Sequence, residues 1–222
     1  MSIADNILAV QTRVAAAARR AGRCPEDVTL VAVSKGHPAS AVREAYAAGL
    51  RHFGENRVQE AEGKLASLRD IRSQVTWHMV GHLQTNKAKA ALQLFDIIQS
   101  VDSVRLGETL DAKATGPVGV FLEVNVAGEA SKGGLPPDQV AETLKALSRC
   151  PNLRVGGLMT IAPLVEDPEE TRPVFRRLRE LARGLGLSGL SMGMTNDFEV
   201  AVEEGATIVR IGTALFGPRA AA

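Results

Sequence analysis

Short apolar runs recur along this chain from residue 28 onward, each separated from the next by a longer stretch of helical character. They fall at 28–35, 51–54, 76–81, 97–101, 118–126, 153–159, 190–192 and 207–212, and several are nearly continuous in Val, Ile and Leu. A strand apolar on both faces belongs to a parallel sheet covered by crossover helices. About eight such units is the count of a closed TIM-type (β/α)8 barrel, and an open doubly wound sheet is the alternative architecture. No Pro-, Gly- or Ser-rich linker and no shift in composition breaks the alternation, so residues 1–222 read as a single α/β barrel domain.

The intervening stretches carry their own start and stop signals. Pro38-Ala39-Ser40 opens a segment with Ala41, Val42, Ala45 and Ala48 on one side, closed by Gly49. Pro136-Pro137-Asp138 precedes Val140, Leu144 and Leu147. Asp167-Pro168-Glu169-Glu170 puts acids in a first turn, where the helix dipole favours them, ahead of Phe175, Leu178 and Leu181. Residues 1–23 read as an Ala-rich amphipathic helix without the apolar stretch of a signal peptide. No run approaches the roughly 20 apolar residues needed to cross a bilayer. The final Pro-Arg-Ala-Ala-Ala reads as a frayed tail.

Charge narrows the function classes: 26 Lys plus Arg stand against 25 Asp plus Glu, a net of +1, so no large field draws the chain to nucleic acid or to lipid. Cys24 and Cys150 are far apart and make neither a disulfide framework nor a CxxC metal knuckle. The reading is a cytoplasmic protein.

Barrel chemistry gathers where the strands end, which selects Lys35, Glu55, Asn56, His78, His82, Asn125, Met159, Thr195, Arg210 and Thr213. Lys35 closes the run Leu30-Val31-Ala32-Val33-Ser34. Such a lysine either extends into water along the sheet edge or, with its proton affinity lowered, serves as a neutral amine that attacks an aldehyde. The loops after strands 7 and 8 of a barrel often build a phosphate site, because small residues let backbone N–H groups approach and hydroxyls add donors. Thr195, Gly212 and Thr213 suit that use. Arg210 offers a cation to the ring nitrogen of a pyridoxal 5′-phosphate (PLP) group, which disfavours protonation there and weakens the electron sink.

Ala32-Val33-Ser34-Lys35, Phe53-Gly54-Glu55-Asn56-Arg57-Val58-Gln59-Glu60 and Trp77-His78-Met79-Val80-Gly81-His82-Leu83-Gln84-Thr85-Asn86-Lys87 together resemble the PLP homeostasis protein family. Gly157-Leu158-Met159-Thr160 and the segment from Ser191 through Gly217 extend the resemblance, in order, over nearly the whole chain. It implies a barrel like the N-terminal domain of alanine racemase, with PLP held as an imine on Lys35. It also implies phosphate held by Thr195, Gly212 and Thr213, Arg210 facing the pyridine nitrogen and Asn56 beside the cofactor. Arg57 stands where that family commonly has an aromatic residue, and Thr195 where serine is frequent; the hydroxyl survives the second change.

Other motifs compete weakly. Gly184-Leu185-Gly186-Leu187-Ser188-Gly189 satisfies GxGxxG but follows a helix and precedes a strand, the reverse of a dinucleotide fingerprint. His78 and His82 lack the glutamate of HExxH and sit by Gly81, so His78 reads as packed in the core or adjacent to the cofactor. Lys87 and Lys89 read as a solvated face, with a second phosphate or protein contact as the sharper alternative, and Lys132, in Ser131-Lys132-Gly133-Gly134, either approaches the site mouth or, the preferred reading, points to solvent. Glu55 and Glu123 show no spacing that announces an acid and a base.

Two function classes share the lysine: a protein that holds and delivers PLP, with apo PLP enzymes as acceptors, and a racemase-like PLP enzyme. Racemization needs two positioned proton-transfer groups, and alanine racemases take a tyrosine from an additional β domain. No residues remain for such a domain after eight βα units, and Tyr46, the one tyrosine, sits mid-helix. The expectation is therefore a monomeric PLP holder, with a Schiff-base aldolase acting without PLP as a third possibility.

Overall fold

The computed structural model describes residues 2–129 and 132–218; Ser131 and the tail beyond Pro218 lie outside the described residues. Within them, parallel strands β1 (Thr29–Val33), β2 (His52–Glu55), β3 (Thr76–Met79), β4 (Ile97–Val101), β5 (Val118–Glu123), β6 (Leu153–Met159), β7 (Gly189–Ser191) and β8 (Ile208–Ile211) pair in chain order and close on themselves. Ala32 of β1 faces Phe53 of β2 on one side and Ile211 of β8 on the other, so no edge is left and the open doubly wound alternative falls. Two strands coincide with their expected bounds. The others differ by one to three residues at an end; at β1, β3 and β5 the apolar run continues after the backbone has left the ladder, and Val124, past β5, keeps only an isolated bridge to Leu135.

Helices α1 (Ile3–Arg20), α2 (Ala39–Ala47), α3 (Val58–Ala66), α4 (Ala88–Leu94), α5 (Val104–Lys113), α6 (Val140–Leu147), α7 (Arg172–Gly184), α8 (Phe198–Glu203) and α9 (Thr213–Phe216) accompany the strands. Of the three proline-marked starts, Pro38 directly precedes α2, while the other two come one turn before the α-helices proper: 3-10 turns at Pro137–Gln139 and Pro168–Thr171 lead into α6 and α7. Proline has its φ preset for a first turn and needs no partner for a missing N–H. Among the described residues no helix is long and apolar enough to cross a membrane.

Side chains alternate across each strand. Phe53, Trp77, Met79, Ile98, Leu122, Val209 and Ile211 join the large outer core with Leu106, Phe175 and Leu178 of the helices. Each fully buried side chain of this size contributes about 1.5–3 kcal/mol. Val31, Val33, Val80, Phe121, Met159 and Ile208 form a separate, smaller interior group. The interior is only partly apolar, because His78, Gln99, Ser191 and Arg210 occupy alternate positions on β3, β4, β7 and β8.

Helix α8 links the loop after β7 to β8 and is clamped from two sides. Arg13 and Arg20 of α1 bind Glu199 and Glu203, the Arg20 contact at 2.7 Å. Arg172, Arg176 and Arg179 of α7 converge on Glu204, whose side chain is almost wholly buried.

Candidate functional site

A cavity of about 850 Å³ at the C-terminal end of the barrel is lined by Lys35, Asn56, Lys132, Thr195, Arg210, Gly212 and Thr213, among others. All six residues expected to hold a cofactor line it, drawn from the ends of β1, β2, β7 and β8.

Lys35 is half-buried, and both of its chain neighbours are pinned. The Ser34 carbonyl accepts from Lys64 Nζ at 2.6 Å, Ser34 Oγ donates to Glu55 Oε1 at 2.6 Å, and the Gly36 N–H donates to Glu60 Oε1 at 2.5 Å. Lys64 also contacts Glu55 directly, a buried ion pair between α3 and the end of β2. Burial pushes the Glu55 carboxyl up, and the hydrogen bond and charge of Lys64 oppose that. Lys64 carries no signal in the sequence, and Glu60 appears there only as the end of a family string with no role, since one turn of an exposed-looking helix hides a contact made across the fold.

Arg210 is buried; its Nη1 donates to Ser191 Oγ at 2.6 Å and its Nη2 to the Thr160 carbonyl at 2.8 Å. Burial pulls the guanidinium down to about 10 against the attraction of Glu123 and Asp197, and it remains a cation at neutral pH. Burial raises Asp197, whose Oδ1 accepts from the Met194 N–H at 2.6 Å. Burial raises Glu123 too, with Arg210 opposing.

Backbone packing fixes the remaining walls. A Cβ on Gly81 would fall 2.4 Å from the Asn56 carbonyl oxygen, so only glycine lets the end of β3 lie against Asn56. Gly193 turns the loop after β7 at φ +91°, where a side chain would also strike Ala201. Thr195 Oγ1 then accepts from the Ala214 N–H at 3.4 Å, which ties that loop to the start of α9.

The other strand-end residues fall elsewhere. Glu55 is buried against Ser34 and Lys64 and is not among the residues of the cavity wall. His78 is buried in the barrel with its nitrogens against Gln99 and His52, held neutral by burial at about 3; it packs in the interior rather than lining the cavity. His82 is exposed and lies 3.1 Å from Asp102. Arg57, His82 and Lys87 line a separate hollow that also borders Asn56. Met159 fills the interior. Asn125 donates to the Glu129 and Lys132 carbonyls, folding that loop back on itself. Of the two readings of Lys132, the structure gives the one at the site mouth: the residue is half-buried and lines the cavity. Tyr46 Oη donates to Gln74 Oε1 at 2.5 Å and its ring carries Arg51, a packing role. Sequence reasoning gave no role to the 161–165 loop; Leu164 is 85% exposed at the cavity, and nothing within the apolar run Ile161-Ala162-Pro163-Leu164-Val165 marks it as exposed.

A family model described as "Alanine racemase, N-terminal domain" matches residues 6–220. The pyridoxal phosphate homeostasis protein of Pseudomonas aeruginosa is 48% identical, with 98% of this chain and 96% of that protein covered. The one from Aquifex aeolicus is 44% identical over 99% of both. PipY of Synechococcus elongatus superposes at a TM-score of 0.88 without PLP and 0.85 with PLP bound, at 43% and 42% identity, covering 97% of this chain and 100% of PipY. Alanine racemase of Corynebacterium glutamicum, 21% identical with a TM-score of 0.68, shares the fold, and this chain covers 62% of its length. The chain belongs to the family of pyridoxal phosphate homeostasis proteins, built on the barrel of the alanine racemase N-terminal domain.

Proposed function

We propose that the cavity holds PLP attached at Lys35, and that the chain stores and hands on the cofactor within vitamin B6 and amino-acid homeostasis rather than turning a substrate over. The donor set fits the group, because one cavity offers an amine, two threonine hydroxyls beside a glycine backbone, and a buried guanidinium. When bound, PLP supplies an electrophilic aldehyde and a ring that withdraws electrons most strongly when its nitrogen is protonated.

The chain's own residues have distinct tasks in this reading. Lys35 offers the nucleophilic amine from a turn that Lys64, Glu55 and Glu60 hold. Thr195, Thr213 and the Gly212 backbone receive the phosphate, and Asn56 packs beside the ring. Arg210, a donor with no acceptor, faces the ring nitrogen and keeps a proton off it. The observation that carries the reading is this guanidinium, buried yet lining the same cavity as Lys35. The names of the relatives and the PLP bound to PipY support it.

We further read residues 1–222 as one unit, a monomer in the cytoplasm, with apo forms of PLP-requiring enzymes as acceptors. The test is PLP transfer from loaded protein to such an apoenzyme, run beside Cα deuterium exchange of amino acids. Transfer with exchange near background is expected; exchange at the rate of a dedicated racemase overturns the holder reading in favour of a racemase-like enzyme.

A further inference from the structure

We infer that Ser191, Gln99, His78 and His52 form a one-way hydrogen-bond chain that positions Arg210 from the opposite end of the barrel. Four links join residues on β8, β7, β4, β3 and β2. Arg210 Nη1 meets Ser191 Oγ at 2.6 Å, Ser191 Oγ meets Gln99 Oε1 at 2.6 Å, Gln99 Nε2 meets His78 Nδ1 at 2.8 Å, and His78 Nε2 meets His52 Nδ1 at 3.1 Å. The middle three are buried, while His52 is half-buried and begins β2, so the chain runs from the cavity toward the N-terminal end of the barrel.

Its direction follows from one end. A guanidinium only donates, so Ser191 Oγ accepts from Arg210 and spends its single proton on the Gln99 carbonyl oxygen. The Gln99 amide then donates to His78 Nδ1, which leaves the proton of a neutral His78 on Nε2 and aims it at His52 Nδ1. The reverse order fails at Ser191: with donors arriving from both Arg210 and Gln99, its own proton has no place in the chain, and an unsatisfied buried hydroxyl is costly. Gln99 thus fixes the rotation of the Ser191 hydroxyl and keeps its lone pairs on Arg210, while the histidines fix Gln99. Three polar side chains at interior barrel positions, where branched apolar residues usually pack, are thereby satisfied in one line.

The consequence for the cofactor rests on the reading of Arg210 given above; the polarity of the chain does not. Nitrogen-15 correlation spectra of the PLP-free protein read the tautomers directly. His78 protonated on Nε2 and His52 unprotonated on Nδ1 near neutral pH are expected, and His78 protonated on Nδ1 overturns the chain. Gln99→Leu, which removes both links, is expected to weaken PLP retention roughly tenfold, the scale of one hydrogen bond to a charged group, and to shift the visible band of the bound cofactor. Gln99→Glu keeps the acceptor for Ser191 and is expected to recover most of the affinity while putting a proton on His78 Nδ1. If both variants retain PLP like the unaltered protein, or lose it equally, Gln99 packs without positioning. Absence of PLP uptake by the unaltered protein would instead count against the cavity reading and leave the tautomer result standing.

Discussion

The ammonium of Lys64 donates to the carbonyl oxygen of Ser34 across 2.6 Å, so a buried cation on α3 holds the residue immediately before Lys35. Its partner Glu55 is also fully buried. Removing one member of a buried ion pair strands the other, at about 3–5 kcal/mol. Lys64→Met is expected to lose that much in urea unfolding, and the double variant Lys64→Met with Glu55→Gln to recover part of it. Both should take up PLP more slowly, because the turn around Lys35 has lost its clamp.

His78 sets an acid limit. Burial first, and the neighbouring His52 second, hold its imidazole at about 3 against 6.5 when exposed. The folded state therefore binds fewer protons than the unfolded one, and this contribution is complete above the unfolded value and lost as pH falls toward the folded one. Near pH 4.5 the loss amounts to roughly 2–3 kcal/mol. Urea unfolding between neutral pH and that point should show a fall of this size, reduced in His78→Gln; an equal fall in both would remove His78 as its source.

Glu204 gathers three arginines of α7 at the end of α8. Burial alone would raise its carboxyl, but hydrogen bonds from Arg176 and Arg172 win and hold it below the usual range. Glu204→Gln is expected to cost about 1–3 kcal/mol, since it leaves charged donors short of a carboxylate. Thermal unfolding of the variant should come earlier at neutral pH, with the gap closing in acid, where the native carboxylate protonates.

Gly81 has no room for a methyl group against the Asn56 backbone. Gly81→Ala is expected to destabilise the protein by about 1–3 kcal/mol and to weaken PLP binding by displacing Asn56. Denaturation midpoints and absorbance titration measure the two effects separately.

Thr195 distinguishes phosphate from mere occupancy. Thr195→Ala should weaken PLP binding about tenfold or more while leaving the binding of pyridoxal, which lacks the phosphate, nearly unchanged. Thr195→Ser should bind both like the unaltered chain.

Much of the fold was legible because the strands are buried on both faces and announce themselves as apolar runs. The bounds of β4 and β6 could be read from the sequence. The ends of β1, β3 and β5 could not, since apolarity persists where the ladder stops. The cavity residues were legible because strand ends of a barrel converge on one face. The place of Lys132 could not be decided from the sequence, because the hydrogen bond from Asn125 to the Lys132 carbonyl is a contact that no local pattern encodes. The chain from Arg210 to His52 was invisible for a similar reason: Ser191 and Gln99 are 92 residues apart and meet only once the barrel has closed.

The attachment at Lys35 is tested most directly by mass spectrometry. Protein loaded with PLP, reduced with borohydride and digested should carry a pyridoxyl group on the peptide containing Lys35, and Lys35→Ala should carry none there. A pyridoxyl group found only on other lysines, or no adduct on the folded protein at saturating PLP, would contradict it.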